Sequence, residues 1–523
     1  MSKRQGVPPL ADWFRLAAGL GELLARPVTP AAASAGIRRR LDERETNFLH
    51  LAERAIYATP SSPLRALLLW AGCELGDLVS RVRSRGLEAT LTELRDQGVY
   101  VGLEELKGRA PLSRRGLTIE TREGDFDNPL VPRGLTGRTS GTRSTGTRVN
   151  YSWPFIAEEA ENECLLYEIH RVRDAPLALW YPLRPGVAGV HNLLMSLKSG
   201  CSPERWFVHA PPSLQDRVIT RFLAWSARRA GLRSPTIAVA GLDRADRVAA
   251  WMAEAAGGAK RAVLRTFASS AIRAVQTARE AGIDVTGSTI FVGGEPLSAP
   301  RHRFLTEAGV QALPRYVTTE SGLVGASCGR GASHDEMHLY LDRLAVVSAD
   351  GDPPAPLLFT ALLPTTPKLL LNTDLGDSAR LARRPCACAF GLAGMDVQVS
   401  AVSPTAKLTG EGMSVLLTEL DEVVGRMVAE LGGSPDHFQF RRMQEEAGLE
   451  RLIIVLHPEL GAASAQAFRD AVLDRLSALG PRCQLAVELW RAAGYLDVVR
   501  EAPRVTAGAK TPRLVDATPL RPR

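Results

Sequence analysis

An α/β fold is predicted for this 523-residue chain, with a large N-terminal domain of α/β sheets, a helical N-terminal extension and a small α+β C-terminal domain. Three observations predict it. From residue 151 to roughly 380, short apolar runs alternate with amphipathic helical segments, the habit of a sheet covered by helices. Residues 1–125 show apolar positions at helical spacing, broken by Pro27, Pro30, Pro60 and Pro63. A connector rich in Gly, Ser, Thr and Pro at Ser400–Gly412 then separates a last stretch of roughly 110 residues, enough to fold as its own domain. The length alone calls for more than one domain.

In chain order, Leu41–Tyr57 and Leu64–Arg83 carry the helical pattern of the extension. Strands are predicted at Leu177–Leu183, Arg205–His209, Thr236–Ala240, Ala262–Thr266, Thr289–Val292, Arg315–Thr318, Leu357–Leu363 and Leu369–Asn372, each a short run rich in apolar or β-branched residues. Helices are predicted at Ile156–His170, Leu214–Ala230, Asp243–Ala256 and Ser270–Ala281. In the last unit, Leu417–Leu431 and Ala465–Leu479 read as helices. His437–Arg442, Leu452–His457 and Cys483–Leu489 read as strands. The expected division is 1–125 for the extension, 126–402 for the large domain, 403–411 for a hinge and 412–523 for a small mobile domain. The segment Pro503–Arg513 is basic and loop-like.

Composition narrows the function. At 45% apolar and 23% charged, the chain reads as an ordinary globular protein. Its +7 charge is spread rather than gathered into a basic block, which favours steering of anionic small molecules over nucleic-acid binding. No secretory pattern stands at the amino terminus and no run of about eighteen apolar residues occurs. A cytoplasmic protein is therefore expected, without a membrane partner and with its seven cysteines reduced.

The chemistry-bearing signals lie in five places. Thr139-Ser140-Gly141-Thr142-Arg143-Ser144-Thr145-Gly146-Thr147-Arg148 is dense in hydroxyls and glycines. Such a loop can wrap a polyphosphate with backbone N–H groups and uncharged donors. Gly293-Gly294-Glu295-Pro296, Tyr316-Val317-Thr318-Thr319-Glu320-Ser321-Gly322 and Asn372-Thr373-Asp374-Leu375-Gly376-Asp377 each follow an apolar strand, and strand ends are where open α/β sheets bind ligands. Thr506-Ala507-Gly508-Ala509-Lys510 lies in the tail. Taken singly, each has a plain alternative as a turn or a surface lysine.

In this order over roughly residues 125–515, the motifs resemble the adenylate-forming superfamily of acyl- and aryl-CoA ligases, and most closely its phenylacetate–CoA ligase-like branch. The resemblance implies that ATP and a carboxylic acid, plausibly aromatic, meet between the two domains. It places Thr139, Ser140, Gly141, Thr142, Thr145 and Gly146 on the departing pyrophosphate. Gly293, Gly294 and Glu295 would lie along the adenine, with Tyr316 stacked near it. Thr319 would reach the α-phosphate, Glu320 would hold Mg²⁺ and Asp374 would take the ribose hydroxyls. Lys510 would bridge the carboxylate and the α-phosphate, and His191 lies where the acyl pocket begins. CoA is the default acceptor, with an amine or a carrier thiol as the alternatives.

Two departures stand out. The glycine-rich loop has one residue more than the family's usual pattern and ends in Arg148 where lysine is usual. The hinge, Val402–Gly412, lacks the family's arginine and aspartate, and Arg380 is the candidate replacement for that arginine. Amide formation, activation of an oxyacid such as nitrite, or a non-catalytic nucleotide-binding member are therefore the rival readings. Separately, Cys328, His334, Cys386 and Cys388 have the donor chemistry of a structural Zn²⁺ site, with His338 competing for the histidine position. Their plain alternative is four residues filling core space.

Overall fold

A computed structural model describes residues 19–132, 134–138, 148–183, 188–257, 261–349, 351–445, 447–461, 464–504 and 511–516. Its centre is a twelve-stranded sheet. Six parallel strands form one half, in the spatial order Thr236–Val239, Arg205–Val208, Leu177–Trp180, Val263–Phe267, Thr289–Gly293, Gln311–Thr318. The chain runs outward through the first three, in reverse of that order, then returns to the far side of Leu177–Trp180. The order therefore reverses between Leu177–Trp180 and Val263–Phe267, the topological switch point at which such sheets open a ligand crevice. The other half is antiparallel, running from Gly322–Ala326 through Met337–Leu339, Val397–Pro404, Thr373–Arg383 and Ala355–Ala361 to Leu344–Ser348.

The expected α/β architecture is present, and the four helices predicted within the parallel half occur at Trp153–Ile169, Leu214–Arg229, Ala245–Ala256 and Ala268–Glu280. Ser152 and Ser213 start two of them by accepting the Phe155 and Asp216 amides. Two more helices, Ala188–Lys198 and Ala299–Glu307, were not anticipated. Ala188–Lys198 is buried nearly throughout and so lacks a polar stripe.

The extension differs from expectation in detail. Its first predicted helix, Leu41–Tyr57, divides into Arg44–Leu51 and the π-helical turn Ala52–Tyr57, and a separate helix, Pro30–Asp42, precedes them. The second divides into Pro63–Trp70 and Leu75–Arg85. Phe48 and Leu67 of these helices, with Leu91 and Leu94 of the following helix Leu87–Asp96, share one core with Leu357, Phe359 and Leu371 from the antiparallel half of the sheet. Leu369–Asn372 is an irregular run and its strand begins at Thr373, because Asn372 adopts φ +44° and its side-chain amide donates to Leu91 O and Val99 O of the extension.

After the sheet comes a hairpin, Lys407–Gly410 with Met413–Leu416, turned by Glu411 and Gly412 at positive φ. A four-stranded sheet follows, in the order Leu496–Arg500, Glu450–Leu456, Phe438–Gln444, Leu514–Asp516, packed by helices Leu417–Glu430, Ala465–Ser477 and Pro481–Ala493. Cys483–Leu489 is thus helical, correcting the predicted strand. Pro481 opens the helix, and Cys483, Ala486, Val487 and Trp490 enter the core at helical spacing.

Candidate active site

The C-terminal ends of the parallel strands, the hairpin and the C-terminal sheet enclose a cavity of about 920 Å³. Tyr181 and Pro182 follow one central strand, Phe267 ends its neighbour across the switch point, and Gly293 and Thr318 end the next two; all line it. From the other side come Lys407, Gly412, Met413, Arg442 and Gln444.

Of the residues the sequence pointed to, Gly293, Gly294, Glu295, Tyr316, Thr319, Glu320 and His191 line this cavity. Gly294 holds φ +76°, and a Cβ there would lie 3.0 Å from the Phe267 ring, so glycine is required where the wall turns. Glu295 is fully engaged. Its carboxylate accepts from Ser269 N and Ser269 Oγ, each at 2.9 Å, and from Gly412 N, and Arg301 lies 3.2 Å away. It therefore ties the hairpin to the sheet. Tyr151 OH donates to Thr319 O at 2.7 Å, fixing the loop that carries Glu320.

Asp374 is not on the cavity wall. Its carboxylate turns back to accept the Gly376 amide at 2.6 Å. Three residues on, Asp377 lines the cavity, accepts from Tyr316 OH at 2.9 Å and stands 3.7 Å from Lys407 Nζ. A bulge causes the exchange: Leu358 pairs with Asp374 and Pro356 with Ser378, so extra residues are accommodated around Gly376 at φ +80°. Arg380 is exposed and does not line the cavity, so it does not supply the missing hinge arginine.

The segment Lys107-Gly108-Arg109 of the extension also reaches the cavity, which no sequence signal announced. Lys107 Nζ lies 2.7 Å from Glu320 Oε1 and 2.7 Å from Glu123 Oε1. Burial opposes ionisation of Glu320, but Lys107 and Lys407 outweigh it and hold the carboxyl down at about 2. Arg109 donates to Glu419 at 2.7 Å and to Thr418 at 3.0 Å, at the start of a C-terminal helix. Between them Gly108 has φ +64°, where a Cβ would lie 2.8 Å from Thr121 O. Deeper in, His191 Nε2 donates to Glu159 and its ring stacks on Tyr151 at 4.6 Å. Glu159 is buried, which disfavours its charge, yet His191 and Arg343 hold its carboxyl at about 2.

The loop Thr139, Ser140, Gly141, Thr142, Thr145 and Gly146, and the tail lysine Lys510, lie outside the described residues. For Mg²⁺, Glu320 offers a single carboxylate already held by an ammonium, so the described cavity does not form a preformed metal site.

The cysteine cluster does form. The donor atoms of Cys328, His338, Cys386 and Cys388 all lie within 4.8 Å of one another. Cys328 Sγ is 3.8 Å from Cys386 Sγ, and Cys388 Sγ is 3.3 Å from His338 Nε2. His338 Nδ1 donates to Met395 O at 2.7 Å, which leaves Nε2 as the free donor atom for a metal. His334 is not part of it. Its Nε2 is 3.0 Å from Leu297 O and its ring tilts on His302 at the cavity edge. His338 replaces it because it sits on a strand paired with Val397–Pro404, just beyond the cysteines.

No protein-family model matches the chain. No curated protein matches it either. Among solved structures it is similar to 2-hydroxyisobutyryl-CoA ligase in complex with 2-HIB-AMP and CoA, at 16% identity and TM-score 0.56 over 99% of this chain and 95% of that one. A more remote likeness, at 13% identity and TM-score 0.41 over 95% and 97%, is to an amide bond synthetase from Marinactinospora thermotolerans. The chain shares the fold of that CoA ligase over nearly its whole length, in keeping with the α/β architecture that the sequence predicts.

Proposed function

We propose that the protein is an AMP-forming ligase of the phenylacetate–CoA ligase-like branch. A bound carboxylate attacks the α-phosphorus of ATP, pyrophosphate leaves, and the acyl group passes from AMP to CoA or another thiol or amine. One observation carries this reading: four segments far apart in sequence, His191, Gly293–Glu295, Tyr316–Glu320 and Asp377, meet on one cavity at the switch point. The chemistry needs position and charge more than covalent help from the protein.

On this reading Gly293 and Gly294 admit the flat base, Tyr316 and Asp377 hold the nucleoside, and Lys107 and Lys407 present positive charge beside Glu320. Mg²⁺, carried in by the nucleotide, would neutralise phosphate charge. Tyr181 and Phe267, in edge contact at 5.0 Å, together with Tyr151 and His191 give the acid pocket an aromatic wall, which supports an aromatic acid. The Cys328, His338, Cys386, Cys388 cluster is assigned to a structural Zn²⁺, since all four protein ligands leave no open position.

Acid-dependent exchange of pyrophosphate into ATP tests the reading. At least one acid of a broad panel is expected to support exchange, and Lys510→Ala is expected to abolish it while ATP still binds. ATP binding without exchange for any acid would leave the non-catalytic nucleotide binder as the better account.

A further inference from the structure

Behind the acid pocket lies a charge cluster that the adenylation reading does not use. Glu163, Arg265 and Arg315 are buried there, at 0%, 0% and 4% exposure. Arg315 Nη2 donates to Glu163 Oε2 at 2.7 Å, and Arg265 Nη1 lies 3.2 Å from Glu163 Oε1. Asn192 Oδ1 accepts from Arg265 and, at 3.3 Å, from Arg315. Arg265 also donates to Tyr167 OH and Ser196 Oγ, each at 2.8 Å.

Two guanidiniums, which cannot shed their protons, therefore share one carboxylate. The neighbouring acids pair with other groups: Glu159 with Arg343 and His191, Asp342 and Glu161 both with Arg40, while Glu158 accepts from Thr365 Oγ1. Among the described residues, the buried Nε of Arg315 and that of Arg265 have no hydrogen-bond partner. A buried cation without a matching anion is costly. Of this cluster Arg315 and Asn192 line the cavity, as do His191, Ala188 and Tyr181, so this is the side from which an anion would meet it.

Building on the ligase reading, we propose that the acid is a dicarboxylic acid. One carboxyl is activated near Thr319 and Glu320, and the second, remote from it, is received by Arg315 beside Asn192 as the missing counter-charge. Desolvated ion pairs of this kind discriminate strongly, because a monoacid leaves the guanidinium unmatched.

The test compares acids of matched skeleton, adipate against hexanoate and 4-carboxyphenylacetate against phenylacetate, in pyrophosphate exchange with the wild-type protein. The diacids are expected to show kcat/KM at least about thirtyfold higher. Asn192→Asp, which places a fixed carboxylate between the two guanidiniums, is expected to remove or reverse that preference. Equal rates, or faster exchange with the monoacids, would overturn the proposal and leave the ligase reading standing. If no acid supports exchange, the ligase reading falls, and calorimetric titration of adipate and hexanoate still decides the anion site. Tighter adipate binding that Asn192→Asp abolishes supports it, and equal or absent adipate binding overturns it. Should Asn192→Asp not fold, the wild-type comparison decides alone.

Discussion

In one buried cluster two carboxylates, Glu320 and Glu123, share the ammonium of Lys107; in another, two guanidiniums, Arg265 and Arg315, share the carboxylate of Glu163. The two clusters have opposite stoichiometry, and they differ in construction as well. The Glu320 cluster borrows its cation from the N-terminal extension. The Glu163 cluster is built wholly from the helices and strands of the parallel half. Acid-rich surroundings can release a mobile lysine to a metal-bound anion, whereas an arginine-rich floor waits for an anion to arrive. On the proposed reading, this difference would orient a diacid in the cavity.

Removing the borrowed cation breaks the comparison most severely. Lys107→Met leaves Glu320 buried without its ammonium, and about 3 kcal/mol of stability is expected to be lost at pH 7 in denaturant titration. The pH dependence carries the sign. In the wild type Glu320 is held at about 2, below its ordinary 4.5, so its contribution is complete above about pH 4.5 and is lost as pH falls toward 2. In the variant, burial without the ammonium raises the same carboxyl, so the gap between the two proteins should narrow as pH falls below about 5. A gap independent of pH would mean that Lys107 acts through packing alone.

The cysteine cluster sharpens the contrast, because on the proposed reading it would be neutralised by a metal rather than by side chains of this chain. Metal analysis of purified protein is expected to find one Zn²⁺ per chain. Cys386→Ser should lose it and about 2 kcal/mol of stability, with the acid preference unchanged. Retention of the metal in that variant would remove Cys386 from the ligand set. The smallest effect is expected at the extension's contact with the C-terminal helix Leu417–Glu430. Arg109→Ala removes the bonds to Thr418 and Glu419 and should cost about 1 kcal/mol, read as a small fall in melting temperature. A loss as large as that of Lys107→Met would show that the extension stabilises both units equally.

Much of this arrangement was legible in the sequence. Short apolar runs alternating with helical spacing pointed to the parallel half, the motifs at strand ends pointed to Gly293–Glu295 and Tyr316–Glu320, because local chemistry and strand position coincide there, and the family resemblance pointed to His191. What was not legible depends on register or on contacts between distant segments. A bulge at Gly376 exchanges Asp374 for Asp377. A strand pairing selects His338 over His334 for the cysteine cluster. Lys107 meets Glu320 from 213 positions away, and no local pattern marks it. Arg265 and Arg315 sit inside apolar strands, where a lone arginine looks like an interruption until Glu163 and Asn192 are seen beside it.

The central claim is that a carboxylate oxygen of the acid bonds to the α-phosphorus of ATP in this cavity. Incubating the protein with ATP, acceptor and an acid labelled with ¹⁸O in its carboxyl group, then weighing the released AMP by mass spectrometry, tests it directly. AMP carrying one ¹⁸O is the expected result. Unlabelled AMP, or release of ADP and phosphate in its place, would contradict the account.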